Sequence, residues 1–181
     1  MNLWNEIPTR VCGSKTINVV VEIPKGSQKI YEYDKEREFF AFRGVSSLLP
    51  YPANYGMIPQ TIGDDNPLDV LVIMDQPTPP GCVIECRPIG VMRMNSGKDR
   101  DDKILSVPSS NPWFKDFKDL EDVPPQFIDE LIHFFQSYAN LTGETVNVIS
   151  WENAKDALRT IERGKDLYRQ ILTIKSLFLI D

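Results

Sequence analysis

Carboxylates crowd two short stretches of this chain. The first reads Asp64-Asp65-Asn66-Pro67-Leu68-Asp69, a proline-bearing turn just ahead of an apolar run. The second reads Asp99-Arg100-Asp101-Asp102-Lys103, again at the edge of an apolar run. Like charges held this close repel one another unless a cation sits among them. A hard divalent ion such as Mg²⁺ or Mn²⁺ takes oxygen ligands, usually one or two carboxylates with retained waters. Glu22 and Glu32 place further carboxylates in segments that are otherwise apolar, and a buried carboxylate needs a partner. The plainer reading of the same residues is solvated loop charge and edge-strand charge that discourages aggregation. The pattern alone leaves both open.

These groups sit on a chain that reads as many short strands followed by two helices. Residues 17–23 (INVVVEI) are β-branched and predict a strand. Pro24-Lys25-Gly26-Ser27 predicts a turn, and residues 30–34 and 38–42 predict a hairpin bent at 34–37. Residues 49–67, broken by prolines, read as irregular; 69–74 read as a buried strand, 83–94 as a long strand kinked near Pro88-Ile89-Gly90, and 103–107 as another strand. Asp122 is placed to cap a helix begun by Pro124-Pro125, with Phe127, Leu131, Phe134 or Phe135, and Tyr138 on one face. Residues 145–149 predict a short strand, and Ser150 is placed to cap a second helix that turns Ala154, Ala157, Leu158 and Ile161 inward. This order predicts a small β-barrel with helices packed on it.

Length and composition bound the function. A chain of 181 residues suits one domain, and one this size buries about 70% of its unfolded surface without disulfides. The formal charge of −6 argues against nucleic acid or an acidic membrane surface as partner. The start MNLWNEIPTR has charges where a signal peptide is apolar, and no apolar run is long enough to span a bilayer. Cys12, Cys82 and Cys86 are odd in number and form no CxxC pair, which suits free thiols in a reducing compartment. His133 reads as a helix-surface residue rather than a ligand, and Trp113, Phe114, Phe127, Phe134 and Phe135 as core. Trp4 can mark a subunit contact, and the apolar tail 171–180 either packs on the barrel or buries itself against another chain.

The wording of six segments goes further. Glu22-Ile23-Pro24-Lys25-Gly26-Ser27, Tyr31-Glu32-Tyr33-Asp34-Lys35, Tyr51-Pro52-Ala53-Asn54-Tyr55-Gly56, Pro67-Leu68-Asp69-Val70-Leu71-Val72, Arg87-Pro88-Ile89-Gly90-Val91 and Asp101-Asp102-Lys103 occur in this order. Together they resemble the family I soluble inorganic pyrophosphatases over about residues 17–160. The resemblance implies a cytoplasmic protein with an α+β fold, a five-stranded OB-like β-barrel with flanking α-helices, in a single domain. The helical or apolar C-terminal extension, 161–181, lies beyond the matching core, and its apolar tail is unlike the polar ends common in the family. The resemblance also implies Mg²⁺-dependent hydrolysis of pyrophosphate, a small anionic substrate and a homo-oligomer, a hexamer in bacterial members. It implies a tight metal site on Asp64, Asp69 and Asp101, with Glu22 and Glu32 on the acidic wall. It also implies phosphate contacts from Arg43, Lys103 and Tyr138, and a role beside the metals for Tyr55.

Four positions depart from the family pattern. Asn66 stands where the motif has its middle aspartate, the proposed base for the attacking water. An amide can orient a water but takes no proton. Ile30 stands for a lysine, with Lys29 beside it but a strand step out of phase. Ala139 stands for a second lysine, and Ser96 for an outer aspartate, with Asp65 or Asp99 as candidate replacements for the lost aspartates. The expectation drawn from these departures is a repurposed metalloenzyme. In it, Asp-bound metal acts as a Lewis acid on a less charged organic substrate, and Ile30 makes the cavity more apolar. The alternatives are a genuine pyrophosphatase with a shifted loop and a non-catalytic scaffold.

Overall fold

In the computed structural model, described are residues 1–181 apart from 11–13, 46–48, 64–65, 143–144 and 179–181, and apart from the side chains of 138–142, 175 and 178. The strands are β1 (Ile17–Ile23), β2 (Lys29–Asp34), β3 (Phe39–Val45), β4 (Asn54–Ile58), β5 (Leu68–Val72), β6 (Val83–Ser96), β7 (Asp99–Arg100), β8 (Lys103–Pro108) and β9 (Val146–Asn153). The helices are α1 (Pro125–Thr142) and α2 (Ala154–Phe178), with two short 3₁₀ turns at Pro112–Phe114 and Leu120–Asp122.

Five strands close into a ring. β1 pairs with β4, β4 with β5, β5 with β8 and β8 with β6, and β6 returns to β1. Closure is possible because β6 is 14 residues long. Its first residues pair with β1, its middle with β8 and its last with β9. Pro88 has no N–H to give a ladder, and the β6–β8 register shifts between Pro88 and Gly90, where the sequence predicts a kink. All the ring pairings are antiparallel except one: β5 and β8 run parallel, with Asp69 opposite Lys103. The β2–β3 hairpin stands apart as a second small sheet.

Alternation along β5 divides the core. Leu68, Val70 and Val72 pack on one face with Ala157 and Ile161 of α2 and with residues of the other ring strands, among them Val19, Ile58, Val91 and Ile104, while Leu71 packs on the other with Met92, Met94, Leu105 and the α1 residues Leu131, Phe134 and Phe135. By the period of two, Asp69 lies on the same face as Leu71. Gly164 lets α2 approach, since a Cβ there would lie 2.7 Å from a Leu68 methyl.

Several expectations are corrected. Residues 49–67 are not irregular throughout: β4 lies within them, disguised because it contains Gly56, which β-propensity disfavours. That glycine is a packing necessity, as an added Cβ would lie 2.0 Å from the Val20 carbonyl oxygen of β1. Asp122 does not cap α1; its carboxylate accepts the Lys118 and Asp119 N–H groups. Ser150 lies inside β9, and Asn153 caps α2 by accepting from the Lys155 and Asp156 N–H groups. Trp113 is 82% exposed rather than core. Trp4 packs within this chain, edge-to-face on Tyr168. The tail does not pack on the barrel over its described part: Ile171, Leu172, Ile174 and Leu177 are exposed on the last turns of α2.

Gly56→Ala is expected to destabilise the fold by at least about 3 kcal/mol, because backbone rather than a yielding side chain opposes the new methyl. Urea unfolding measures it; a loss under about 1 kcal/mol would show that β1 and β4 can separate freely.

Candidate active site

Parallel strands begin at the same edge of a sheet. β5 and β8 each begin directly after one of the acidic stretches, so their pairing carries both stretches to one end of the barrel. There they border a cavity of about 290 Å³ lined by Glu22, Tyr55, Asn66, Asp69, Asp101 and Lys103, among others. The β2–β3 hairpin contributes Ile30 and Glu32 to the wall, and α1 closes it with Phe134 and Phe135.

Lys103 is the hub. It is buried, and its Nζ donates to Asp69 Oδ2 at 2.5 Å and to Asp101 Oδ1. Burial opposes its charge, but the two carboxylates outweigh it and hold its pKa above the ordinary lysine range. The position of Asp101 is set from behind. Its N–H donates to the Met94 carbonyl at 2.9 Å, and the adjacent Asp102 is clamped by Arg93 at 2.6 Å and Arg100 at 2.8 Å. Arg93 in turn holds Glu152 of β9 at 2.5 Å.

Two further groups are shifted by their surroundings. Glu22 is buried and accepts the Tyr33 N–H at 2.8 Å. Burial pushes its carboxyl up to about 8, against the lowering effect of that hydrogen bond, and the Asp69 and Glu32 carboxylates push the same way as burial. Tyr55 has its phenol raised well above the usual range by burial and by Asp69 and Asp101, so it is a hydrogen-bond donor rather than a base. Its ring lies 5.7 Å from Lys103 Nζ and packs edge-on against Tyr51.

Of the residues predicted for the site, Glu22, Ile30, Glu32, Tyr55, Asn66, Asp69, Asp101 and Lys103 border this one cavity. Arg43 does not line it; it is exposed on β3 and bonds Glu32 at 2.8 Å. Asp99 pairs with Ser96 in the β6–β7 ladder and is exposed, whereas Ser96 borders the cavity. Asp64 and Asp65 lie outside the described residues, as do the side chains of Tyr138 and Ala139. Lys35 is also a wall residue; it ends the Tyr31-Glu32-Tyr33-Asp34-Lys35 motif, which marks its place in the sequence but gives it no role. Soft-metal chemistry has no site in the described residues: Cys86 is buried with its thiol pushed up to about 12 by burial, Cys82 is exposed, and His133 is exposed on α1.

The donor set suits a hard cation. Asp69 and Asp101 aim carboxylate oxygens at one point, and the group between them is itself a cation, the Lys103 ammonium. Among the described residues no three His, Cys, Asp or Glu side chains form a complete cluster; the expected third ligand, Asp64, is outside them.

The family profile of inorganic pyrophosphatase matches residues 19–169. An inorganic pyrophosphatase of Synechocystis sp. is 46% identical over 155 residues, covering 84% of this chain and 92% of that one. One from Haloferax volcanii is 41% identical over 173 residues, covering 94% and 98%. The crystal structure of the inorganic pyrophosphatase from Thermus thermophilus superposes with a TM-score of 0.88 at 32% identity, covering 93% of this chain and 99% of that one.

The raised Glu22 carboxyl predicts a pH dependence. Between its ordinary value of 4.5 and its folded value of about 8, the native state holds a proton that the unfolded chain has released. Stability of the metal-free protein should therefore fall as pH rises through that window, by at most about 1.4 kcal/mol per pH unit from this group. Glu22→Gln should flatten that limb in thermal melts from about pH 5 to 8. An equal fall in both proteins would assign the pH dependence to other groups.

Proposed function

The chain belongs to the inorganic pyrophosphatase family, and on that premise we propose that it hydrolyses pyrophosphate and water to two phosphates. The observation that carries this reading is the convergence of Asp69, Asp101 and Lys103 at the shared edge of β5 and β8. The relatives support it as well. Six of them, 41–46% identical to this chain, are all named inorganic pyrophosphatase. The repurposed, less charged substrate predicted from Asn66, Ile30, Ser96 and Ala139 has no support among them and is set aside. Nor is divergence of the active site established by four residue identities. The scaffold reading is likewise not favoured, because a scaffold has no need of a buried lysine held between two carboxylates.

In this reading Asp69 and Asp101, with Asp64 and Glu22, would hold Mg²⁺ or Mn²⁺. When bound, the ion supplies Lewis-acid stabilisation of charge on phosphoryl oxygens. Lys103 would turn its ammonium to a phosphoryl oxygen, Tyr138 would add a contact to the same anion, and Arg43, outside the cavity lining but paired with Glu32 of the wall, would reach it from the hairpin. The Tyr55 phenol, kept protonated by its surroundings, donates a hydrogen bond within the site. Asn66 orients the attacking water through its amide. Glu32 holds Arg43, at 2.8 Å, and Ile30 supplies an apolar wall. Phosphoryl transfer needs little beyond such positioning and electrostatic stabilisation. We also propose a cytoplasmic homo-oligomer, supported by the exposed apolar residues Trp113, Ile171, Leu172 and Leu177; no helix among the described residues is long and apolar enough to cross a membrane.

Phosphate release from pyrophosphate, with and without Mg²⁺, tests the activity. Mg²⁺-dependent release of two phosphates per pyrophosphate is expected, and none at any Mg²⁺ concentration would overturn the reading. A calorimetric titration tests the metal ligands. Asp69→Ala should weaken Mg²⁺ binding by 100-fold or more, in keeping with loss of a direct ligand (~10²), while Asp99→Ala should change it less than about 3-fold, as befits an exposed charge at a distance. Equal effects would reassign the ligands.

A further inference from the structure

Alternation along a strand divides the start of β8 between two faces. Asp101 and Lys103 border the candidate active-site cavity, while Asp102 between them borders a different cavity, of about 340 Å³, which Asp101 also reaches. The β6–β8 ladder decides what stands opposite. Its last pair sets Met92 against Lys103, so one antiparallel step further brings Arg93 opposite Asp102. The next step brings Met94 opposite Asp101, where the Asp101 N–H donates to the Met94 carbonyl at 2.9 Å. Cross-strand neighbours share a face. Met94 accordingly borders the active-site cavity with Asp101, and Arg93 borders the other cavity with Asp102.

At this point β6 lies between β8 and β9, so Arg93 has a neighbouring strand on each side. On β9 its opposite residue is Ser150, and Glu152 is the diagonal neighbour two residues on. A guanidinium is planar and presents its donors as a rigid fork. Arg93 Nη1 donates to Asp102 Oδ2 at 2.6 Å, and its Nε and Nη2 donate to Glu152 Oε2 at 2.8 and 2.5 Å. The Arg93 side chain is 12% exposed and that of Asp102 9%. Asp102 Oδ1 is buried and has no hydrogen-bond partner among the described residues. The hold on this carboxylate therefore falls on Oδ2, from Arg93 and from the more exposed Arg100 at 2.8 Å. Asp102 can leave its place only by parting a buried charge from its counter-ion.

We infer that Arg93 is a positioning residue for metal binding. By fixing Asp102 from the reverse face, it fixes the direction in which the adjoining Asp101 presents its carboxylate beside Asp69. The inference rests on the reading of Asp69 and Asp101 as metal ligands. Arg93 does not line the active-site cavity and acts only through its neighbour. This action runs against simple electrostatics. A fixed positive charge near a divalent site repels the ion, so loss of that charge by itself would tighten metal binding. A positioning role requires the reverse, because a ligand released from its geometry binds less well. Partners that hold metal ligands from outside commonly control about 10- to 100-fold in affinity. The sign of the effect separates the two accounts.

Mg²⁺ is titrated calorimetrically into the full-length protein and its variants, at a temperature where thermal melts show each to be folded. Arg93→Met should weaken Mg²⁺ binding about 10-fold or more. Arg93→Lys keeps the charge but not the fork, and should lose about 3- to 10-fold. Arg100→Met removes the exposed contact to the same oxygen and should change affinity less than about 3-fold. With pyrophosphate as substrate, Arg93→Met should raise the Mg²⁺ concentration for half-maximal rate by the factor seen in the titration, and leave kcat at saturating Mg²⁺ within about 3-fold. Unchanged or tighter Mg²⁺ binding in Arg93→Met would overturn the role. So would wild-type affinity in Arg93→Lys, the variant that decides if the methionine protein does not fold. A wild-type protein that binds no Mg²⁺ would overturn the metal reading, and this role with it.

Discussion

The parallel pairing of β5 and β8 is the constraint on which the site depends. In a ring of otherwise antiparallel strands, it is the one pairing that places the starts of two strands side by side. Acidic residues lead into each of these strands, so the topology forces carboxylates together that the chain separates by more than 30 positions. Such a concentration of charge is unfavourable by itself. Lys103, close to Asp101 along the chain and opposite Asp69 in register, supplies the compensating cation. The Arg93–Asp102–Glu152 network fixes the loop from the other side.

The electrostatic balance inside the cavity follows from that arrangement. Near the carboxylate pair, burial favours the protonated form of Glu22 and keeps Tyr55 a neutral phenol. Arriving positive charge would favour release of the Glu22 proton, because it lowers the energy of the carboxylate. The cavity therefore has a capacity for cations beside Asp69 and Asp101.

The strands with continuous β-branched or alternating residues were legible because burial on a pleated surface leaves a period of two. β1 is the exception to that period and still the clearest, because Val19, Val20 and Val21 are all buried and a strand covered on both faces shows as a continuous β-branched run. β4 was not legible, since its glycine answers to the carbonyl of a neighbouring strand and not to any local preference. The helix caps misled for a related reason. Asp122 and Ser150 have the right chemistry, but Asp122 is spent on the turn before α1 and Ser150 continues the ladder to Arg93. Trp113 reads as core by type yet lies on the surface, because the 3₁₀ turn that carries it buries Phe114 instead.

Residue identities alone determined which chemistry was within reach: oxygen-rich acidic turns for a hard cation, lysine and arginine for an anion, and no Cys/His set for a soft metal. Motif order alone also determined the family, because six segments in a fixed sequence leave little room for chance. Which of these groups meet was decided by the tertiary structure. Arg43 pairs with Glu32 and stays out of the cavity lining, and Lys35, at the end of the Tyr31–Lys35 motif, borders the cavity from a turn whose carbonyl Asn2 holds. A lysine carries its charge on a long flexible stem, so its place is set by what packs around the stem and not by where it stands in the chain. Aspartates at the starts of strands have short side chains and follow the backbone. That is why Asp69 and Asp101 could be read from the sequence, while the contacts of Lys35 with Trp4 and Asn66 existed only once the chain had folded.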